Sequence, residues 1–358
     1  MAVAPQRALT KRARFWLIVA VVVLGTATVH RLWFADLIGP VFEFSGETMG
    51  TTFVVKVAAE TLPREEHAAI ARDVRDTLVA VNRSMSTWDA ESEISHFNRH
   101  ASTEPFPASR GIRDLVSAAW DVSEATGGAF DLTVRPLVQA WGFGDHARVP
   151  GGPSEAELEA LRERVGWKRL RVEGDALVKA HPETVCDLSA IAKGYGVDVL
   201  SEALVRRGHD RHLVEIGGEL YGRGRKLDGT PWQVAIEVPD EGARGVHDVI
   251  PLEGWGMATS GDYRNYYEVD GVRISHTIDP RTGRPIDHAL ASVTVLHRRA
   301  MWADAWATAL NVLGPEEGFQ AAQERDLAAY FIVRGRDGNF TTRETPKFTA
   351  LRTPSGAP

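Results

Sequence analysis

Cysteine is nearly absent from this sequence, because Cys186 is the one cysteine in 358 residues. A single cysteine excludes an internal disulfide framework and any metal site built from several thiolates. Cys186 stands next to Val185 and two residues before Leu188. We therefore predict that it fills a small buried position in the core.

The chain also lacks the excess of positive charge that nucleic-acid binding usually requires. It carries 41 Lys and Arg against 48 Asp and Glu, a formal net charge of −7, so we expect no nucleic-acid partner. Otherwise the composition, with 44% hydrophobic and 25% charged residues, is that of a globular protein with material for one large or two modest cores.

Several common nucleotide and catalytic motifs are missing. The sequence contains no P-loop, no dinucleotide fingerprint and no serine nucleophile elbow. The glycine-rich stretch "GRGRKLDG" (222–229) lacks the spacing and the flanking helix of a phosphate-binding loop. It is interpreted as a hairpin.

The first 35 residues differ from the rest of the chain. The apolar run "FWLIVAVVVLGTATV" (15–29) follows four cationic side chains, Arg7, Lys11, Arg12 and Arg14. A positive patch before an apolar stretch is typical of an export signal or an N-terminal membrane anchor. The positive-inside rule then leaves the N-terminus in the cytoplasm and places the body at the periplasmic face of the inner membrane.

Whether this leader is cut or retained stays open. Its fifteen apolar residues reach about 22 Å as a helix, short of a hydrocarbon core of about 30 Å. An anchor would therefore continue through "HRLWF" (30–34). Gly25 and Ala27 could instead mark a small-residue cleavage site.

The sequence predicts that residues 41–345 form one domain of mixed helices and strands. Residues 346–358 are expected to form a flexible tail. Helical spacing of apolar residues predicts helices over 64–85, 109–126, 154 to about 166, 189–207, 303–313 and 315–325. Strands are predicted over 51–57, 169–173, 176–180, 211–224, 232–238, 268–279 and 291–297, with a closing hairpin around Asp337 and Gly338. Because regular helices do not separate these strands, we predict an α+β fold with mixed or antiparallel sheets and packed helices.

Polar side chains stand beside small residues at several points where a backbone could approach a ligand. In "GGAFDLTV" (127–134), Phe130 and Asp131 could stack on and hydrogen-bond a heterocycle, or Phe130 could be a buried residue of a helix-to-strand turn. In "EIGGEL" (215–220), the glycine pair predicts a bulge or a close backbone contact with a ligand. "ATSGDYRNYY" (258–267) gathers hydroxyls, an acid and a base at a strand end.

The stretch "CDLSAIAKGYG" (186–196) precedes and begins a predicted helix. Asp187 could be its N-cap, or the carbonyls of Ser189 and Ala190 could coordinate a cation there. Lys193 and Gly194 are unusual choices inside a helix.

His276 is the candidate general base. It lies within two residues of Ser275 and Thr277 and three residues from Asp279, which could orient its imidazole. A structural role for this histidine is an equal alternative at this point.

Asp304 and Thr308 are four residues apart in "MWADAWATALNVLG" (301–314) and share one face of a predicted helix. Asp304 could simply begin the helix while Thr308 bonds back to a carbonyl. Alternatively, both are hard oxygen ligands of Mg²⁺, an ion that commonly binds phosphate oxygens as well.

Taken in order, these clusters resemble the ApbE family, the FAD:protein FMN transferases. The resemblance spans nearly the whole body and is carried by eight segments, "GETMGTTF" (46–53), "NRSMSTWDAESEISHFN" (82–98), "GGAFDLTVRPLVQAWGFG" (127–144), "DLSAIAKGYGVD" (187–198), "LVEIGGEL" (213–220), "ATSGDYRNY" (258–266), "SHTIDPRTGRP" (275–285) and "ADAWATAL" (303–310).

That resemblance implies a Mg²⁺-dependent enzyme that transfers FMN from FAD to a threonine or serine hydroxyl of another protein and releases AMP. It implies Mg²⁺ ligation by the Ala190 carbonyl, Asp304 and Thr308, with His276 as the base. It further implies flavin-nucleotide contacts at Met49, Trp88, Ala129, Phe130, Asp131, Asp187, Lys193 and Ile278.

The implied acceptor is a separate redox protein or membrane respiratory subunit with an Asp-x-x-Thr-type motif, because this chain contains no convincing copy of that motif. Two other functions stay open from the sequence. One is an FAD pyrophosphatase giving FMN and AMP, and the other is an exported flavin-binding protein without turnover.

Overall fold

The computed structural model describes residues 40–144, 152–239, 245–261, 266–269, 272–335 and 337–352. The predicted leader, residues 1–35, lies outside this part of the chain. The described helices are α1 Arg64–Met85, α2 Glu93–Arg99, α3 Arg110–Ala125, α4 Arg135–Ala140, α5 Glu155–Arg162, α6 Ala192–Arg206, α7 Ala300–Glu324 and α8 Pro346–Arg352. A short 3₁₀ helix occupies Trp167–Arg169. Within these ranges, no helix is both long and apolar enough to cross a bilayer.

Seventeen strands are described. They are β1 Val41–Thr48, β2 Thr51–Ala58, β3 Phe106–Pro107, β4 Leu170–Glu173, β5 Ala176–Lys179, β6 His212–Ile216, β7 Glu219–Arg223, β8 Trp232–Glu237, β9 Val246–Leu252, β10 Trp255–Gly261, β11 Tyr266–Val269, β12 Val272–Ser275, β13 Ile278–Asp279, β14 Arg284–Pro285, β15 Leu290–His297, β16 Ala328–Arg334 and β17 Phe340–Glu344.

An eight-stranded sheet forms the centre of the body, in the order β1-β2-β6-β7-β10-β15-β16-β17. Each neighbouring pair in this sheet is antiparallel. The other strands form a three-stranded sheet, β3-β5-β4, and three separate hairpins. Helices packed on antiparallel sheets confirm the predicted α+β fold.

The sheet has apolar side chains on both faces because alternate residues of a strand point in opposite directions. On β16, Ala329 and Phe331 join the large core under α3 and α7, whereas Tyr330 and Ile332 face a second core covered by the β8–β9 hairpin and α8. A third cluster joins α1 and α6 to β2 and β6. The sheet is thus enclosed on both sides.

Helix α8 corrects the first half of the predicted flexible tail, and residues 353–358 lie outside the described residues. Residues 346–352 are helical, and Phe348 is fully buried in the second core. The sequence signal was weak, because a seven-residue helix is too short to show a clear apolar period.

The strand ends place the two hairpin turns Met49–Gly50 and Gly217–Gly218 at the same end of the sheet. Antiparallel pairing aligns Phe53 with Ile216, next to both turns. The first turns of α6 and α7 lie beside this end, because Gly217 approaches Lys193 and Gly194 approaches Ala300. The candidate site is built from these pieces.

Candidate active site

The β6–β7 turn brings its backbone against α6. Gly217 and Gly218 have φ values of +59° and +103°, a region that glycine adopts without strain. A Cβ on Gly217 would lie 2.7 Å from Thr51 and 3.3 Å from Lys193 Cδ. The glycine pair therefore permits the close packing that delivers the next residue, Glu219, to the Lys193 side chain.

Three charged side chains meet at this point. Lys193 Nζ lies 2.6 Å from Glu219 Oε1 and 3.9 Å from Asp304 Oδ1. Glu219 and Asp304 are buried, while the Lys193 side chain is 29% exposed. One ammonium thus faces two carboxylates.

Burial and this charge imbalance shift the pKa values of Lys193, Glu219 and Asp304. Burial raises the pKa of the Asp304 carboxyl, which the Lys193 ammonium and the Gly194 N–H lower only in part. Burial likewise raises the pKa of Glu219, against the lowering effect of Lys193. Burial alone would lower the pKa of Lys193, but the charges of Asp304 and Glu219 raise it, so Lys193 stays protonated at neutral pH.

Helix α7 carries Asp304 and Thr308 on the face directed at this cluster. Asp304 Oδ2 accepts the backbone N–H of Gly194 at 3.0 Å, and Thr308 Oγ1 lies 3.4 Å from Ser260 Oγ on β10. The helix begins at Ala300, so Asp304 does not cap it. The structure therefore contradicts the interpretation in which Asp304 begins the helix.

The side-chain oxygen atoms of Asp304 and Thr308 are suitable ligands for a hard divalent cation. Glu219 Oε2 is buried and has no hydrogen-bond partner among the described residues, so one carboxyl oxygen beside Lys193 is left unsatisfied. In the described ranges, no three His, Cys, Asp or Glu side chains converge as metal ligands. A metal here would therefore use Asp304, the Thr308 hydroxyl and backbone carbonyls, an oxygen set that suits Mg²⁺.

Ala190 lies in the turn between Ser189 and Ala192, residues that line a neighbouring cavity. The cavity measures about 350 Å³ and lies at the hairpin turn of β1 and β2, beside the C-terminal end of α1. Its volume is within the range of small-ligand pockets. Its walls are formed by Met49, Gly50, Val81, Asn82, Met85, Ser86, Thr87, Trp88, Ser189, Ala192 and Lys193.

Met49, Trp88 and Lys193 are the predicted nucleotide contacts that the structure brings together in this cavity. Met49 holds a left-handed backbone conformation, with φ +49°, at the tip of the hairpin. The Trp88 side chain is 74% exposed, an unusual state for so large an apolar surface. Its indole ring is available to stack on a planar ligand.

Ala129, Phe130 and Asp131 lie elsewhere, in the large core. Ala129 and Phe130 are fully buried among core residues, so the Phe130 ring does not offer a stacking face. The segment is a turn with a buried Phe, as in the alternative, but it joins two helices, α3 and α4, and not a helix and a strand. The nucleotide contacts of these residues stay a prediction. Asp131 accepts hydrogen bonds from the backbone and side chain of Thr133, both at 2.7 Å. Burial raises the pKa of Asp131 to about 6.

Asp187 holds the turn before α6 and is not the N-cap of that helix. Its Oδ1 accepts the backbone N–H and the hydroxyl of Ser189, at 2.9 and 2.5 Å, and α6 begins only at Ala192. The Asp187 N–H donates to the Leu132 carbonyl at 2.7 Å. This contact joins the Asp187 turn to the loop of Asp131.

His276 follows β12 and is partly buried, with its ring 6.3 Å from that of Phe143. Asp279, expected to orient it, is instead bound to Arg281, whose backbone N–H and Nη2 both donate at 2.9 Å. Ile278 is buried in a small apolar cluster with Leu137 and Trp141.

Glu219 is the site residue that sequence reasoning missed. The stretch "EIGGEL" signalled close backbone contact through its glycines, but the acid that follows them carried no separate signal. The position of Glu219 opposite Lys193 depends on the packing of α6 against the β6–β7 turn, which no local pattern reveals.

Comparisons with known proteins identify the family of the chain. Residues 49–331 match the ApbE family. The "FAD:protein FMN transferase" of Vibrio cholerae is 44% identical over 294 residues, covering 82% of this chain and 88% of the relative. That of Escherichia coli K12 is 38% identical over 310 residues, covering 86% and 88%.

Solved structures agree. The flavin transferase ApbE from Vibrio cholerae superposes with a TM-score of 0.79 at 41% identity, covering 87% of this chain and 100% of that chain. The apbe protein from Thermotoga maritima gives a TM-score of 0.77 at 27% identity, covering 88% and 100%.

Proposed function

The chain belongs to the ApbE family, and we propose that it is an FAD:protein FMN transferase that uses the cavity beside Lys193. FAD is its substrate. A threonine or serine hydroxyl of the acceptor protein forms a bond to the phosphorus of the FMN half, while the bond to the AMP oxygen breaks. AMP leaves, and FMN remains on the acceptor as a phosphoester.

The observation that carries this proposal is the cluster of Lys193, Glu219 and Asp304, in which Lys193 lines an apolar cavity with an exposed indole. Trp88 and Met49 offer apolar contact to an aromatic ring of FAD. Lys193 supplies a fixed positive charge for the pyrophosphate. Ring and phosphate recognition thus lie within one site.

Asp304, Thr308 and the Ala190 carbonyl would hold Mg²⁺ there. When bound, the ion would stabilise the charge that develops on the phosphoryl oxygens and on the departing AMP. Asp304 is oriented for this role by the Gly194 N–H, and a bound cation would lower the Asp304 pKa that burial raises.

An imidazole nitrogen of His276 would take the proton from the acceptor hydroxyl as the new phosphorus–oxygen bond forms. General-base catalysis of this kind contributes about 10²–10⁴-fold. The family of the chain and the place of His276 in the segment "SHTIDPRTGRP" support this assignment.

We also propose that residues 1–35 direct the chain to the periplasmic face of the inner membrane, as a cleaved signal or a retained anchor. The cationic patch followed by an apolar run supports this. The acceptor would then be an exported redox protein or membrane subunit.

Incubation with FAD, Mg²⁺ and a protein carrying an Asp-x-x-Thr-type acceptor motif tests the function. We expect covalent flavin fluorescence on the acceptor and one AMP per label, and loss of both by at least 10²-fold in Asp304→Ala. Glu316→Ala, which alters an exposed acid on the same helix, is the control and should stay near wild type. Release of AMP and free FMN without labelling would identify a pyrophosphatase, and bound FAD without magnesium-dependent turnover a binding protein.

The role of His276 has a separate test. His276→Ala should label the acceptor about 10²–10⁴-fold more slowly at saturating FAD. An unchanged rate would remove His276 from the reaction.

A further inference from the structure

Asp198 is a buried carboxylate on α6 that the proposed reaction leaves without a role. Its side chain faces the start of α7. Oδ1 accepts the backbone N–H of Ala300 at 2.8 Å, and Oδ2 accepts that of Met301 at 3.1 Å. Arg299 Nε also donates to Oδ2, at 3.3 Å.

These bonds make Asp198 the cap of a helix other than its own. The first N–H groups of an α-helix have no partner within the helix, and a negative charge is favourable at that end. Within the described chain, Arg299 at the N-cap position of α7 makes no side-chain capping bond. Asp198 supplies both the acceptors and the charge from the neighbouring helix.

One turn earlier on α6, Gly194 binds the same helix at its functional residue. The Gly194 N–H donates to Asp304 Oδ2 at 3.0 Å. A Cβ on Gly194 would lie 2.4 Å from the Ala300 carbonyl oxygen, so the two backbones are in direct contact. Gly194 and Asp198 therefore hold α7 at two points one helical turn apart.

We propose that Asp198 is a positioning residue for the magnesium ligands. By capping α7 it fixes the rotation and depth of that helix, so that Asp304 stays beside Lys193 and Thr308 beside Ser260. The inference rests on the proposed function, because it concerns the metal pair of that same site. Among the described residues, the hydrogen bonds of Asp198 go to Arg299, Ala300 and Met301 and not to Asp304.

Measuring the Mg²⁺ affinity distinguishes a positioning role of Asp198 from a general contribution to the stability of the fold. Groups that orient metal ligands typically change affinity 10–100-fold when removed. Loss of packing elsewhere on α6 lowers the unfolding temperature without moving Asp304. Val197, fully buried in the third core beside Asp198, offers a matched packing change.

The experiment titrates MgCl₂ into the FAD-free protein by calorimetry and records the unfolding temperature of each variant. Asp198→Ala should raise the dissociation constant for Mg²⁺ at least tenfold. Asp198→Asn should raise it about threefold, because the amide oxygen keeps one bond to α7 but loses the charge. Val197→Ala should lower the unfolding temperature while its Mg²⁺ affinity stays within twofold of wild type.

A folded Asp198→Ala with Mg²⁺ affinity within twofold of wild type would overturn the inference. If Asp198→Ala does not fold, Asp198→Asn decides, and an unchanged affinity there has the same meaning. Asp304→Ala sets the baseline for binding at the site. Wild-type binding no stronger than this baseline would overturn the magnesium assignment itself, and the positioning role with it.

Discussion

At the scale of single residues, Lys193 is the counterion of two buried carboxylates. Without it, Glu219 and Asp304 would share a buried region with no fixed positive charge. Removing one partner of a buried ion pair costs more than the pair itself contributes, because the remaining charge stays desolvated.

Lys193→Met should therefore destabilise the metal-free protein by about 3 kcal/mol. Added Mg²⁺ should recover more of the unfolding temperature in this variant than it adds to wild type, because the cation replaces the lost charge. Thermal unfolding in chelator and in excess Mg²⁺ measures both effects.

Lys56→Met is the matched control, since the Lys56–Glu43 pair is 3.6 Å apart and both side chains are exposed. Exposed pairs contribute about 0–1 kcal/mol. Equal losses in the two variants would show that the Lys193 cluster is no more than a surface pair.

Single residues also show the limits of sequence-based prediction. The spacing of Asp304 and Thr308 predicts a shared face, and the structure places both on the side of α7 that meets Lys193 and Ser260. From the sequence, the pair Phe130–Asp131 could be a ligand contact or part of a buried turn. Long-range packing decides such cases, and Phe130 is in the core.

At the scale of elements, the contact between α6 and α7 depends on a glycine. Gly194 lies against the Ala300 carbonyl, whereas Gly196, on the same helix, faces the movable side-chain ends of Ile216 and Met49. Alanine favours a helix over glycine by about 1 kcal/mol at either position.

Gly194→Ala should lower the free energy of unfolding by about 1–3 kcal/mol and sharply reduce transfer, because the new Cβ must push the two backbones apart. Gly196→Ala should stay within about 1 kcal/mol of wild type and remain active. Denaturant unfolding and the transfer assay test both. Equal effects of the two substitutions would mean that the close contact between the α6 and α7 backbones at Gly194 is not required for stability or transfer.

The elements predicted well from sequence are those with a clear period. Apolar spacing gives α1 both of its bounds, and the capping box at Ser154 and Glu157 is present in the structure. The start of α6 is predicted too early because Asp187 and Ser189 form their own turn before it. The helices predicted at 303–313 and 315–325 correspond to the two parts of α7, which are separated by a kink at Gly314, where φ is +79°.

At the scale of the whole molecule, the central sheet separates the start of the described body from the site. β1 begins at Val41, which pairs with Ala58 at one end of the sheet, and ends at the Met49–Gly50 turn at the other. Eight residues of strand span about 24 Å. The chain therefore enters the body at the end opposite the cavity.

This arrangement predicts that residues 1–39 serve location and not chemistry. A variant beginning at residue 40 should transfer FMN to a soluble acceptor with kcat within about twofold of the full chain, while it is no longer exported, whether the leader is a cleaved signal or a retained anchor. A further deletion of residues 346–358 should reduce stability, because Phe348 is buried in the second core. A large fall in kcat after the first deletion alone would mean that the leader contributes to the site.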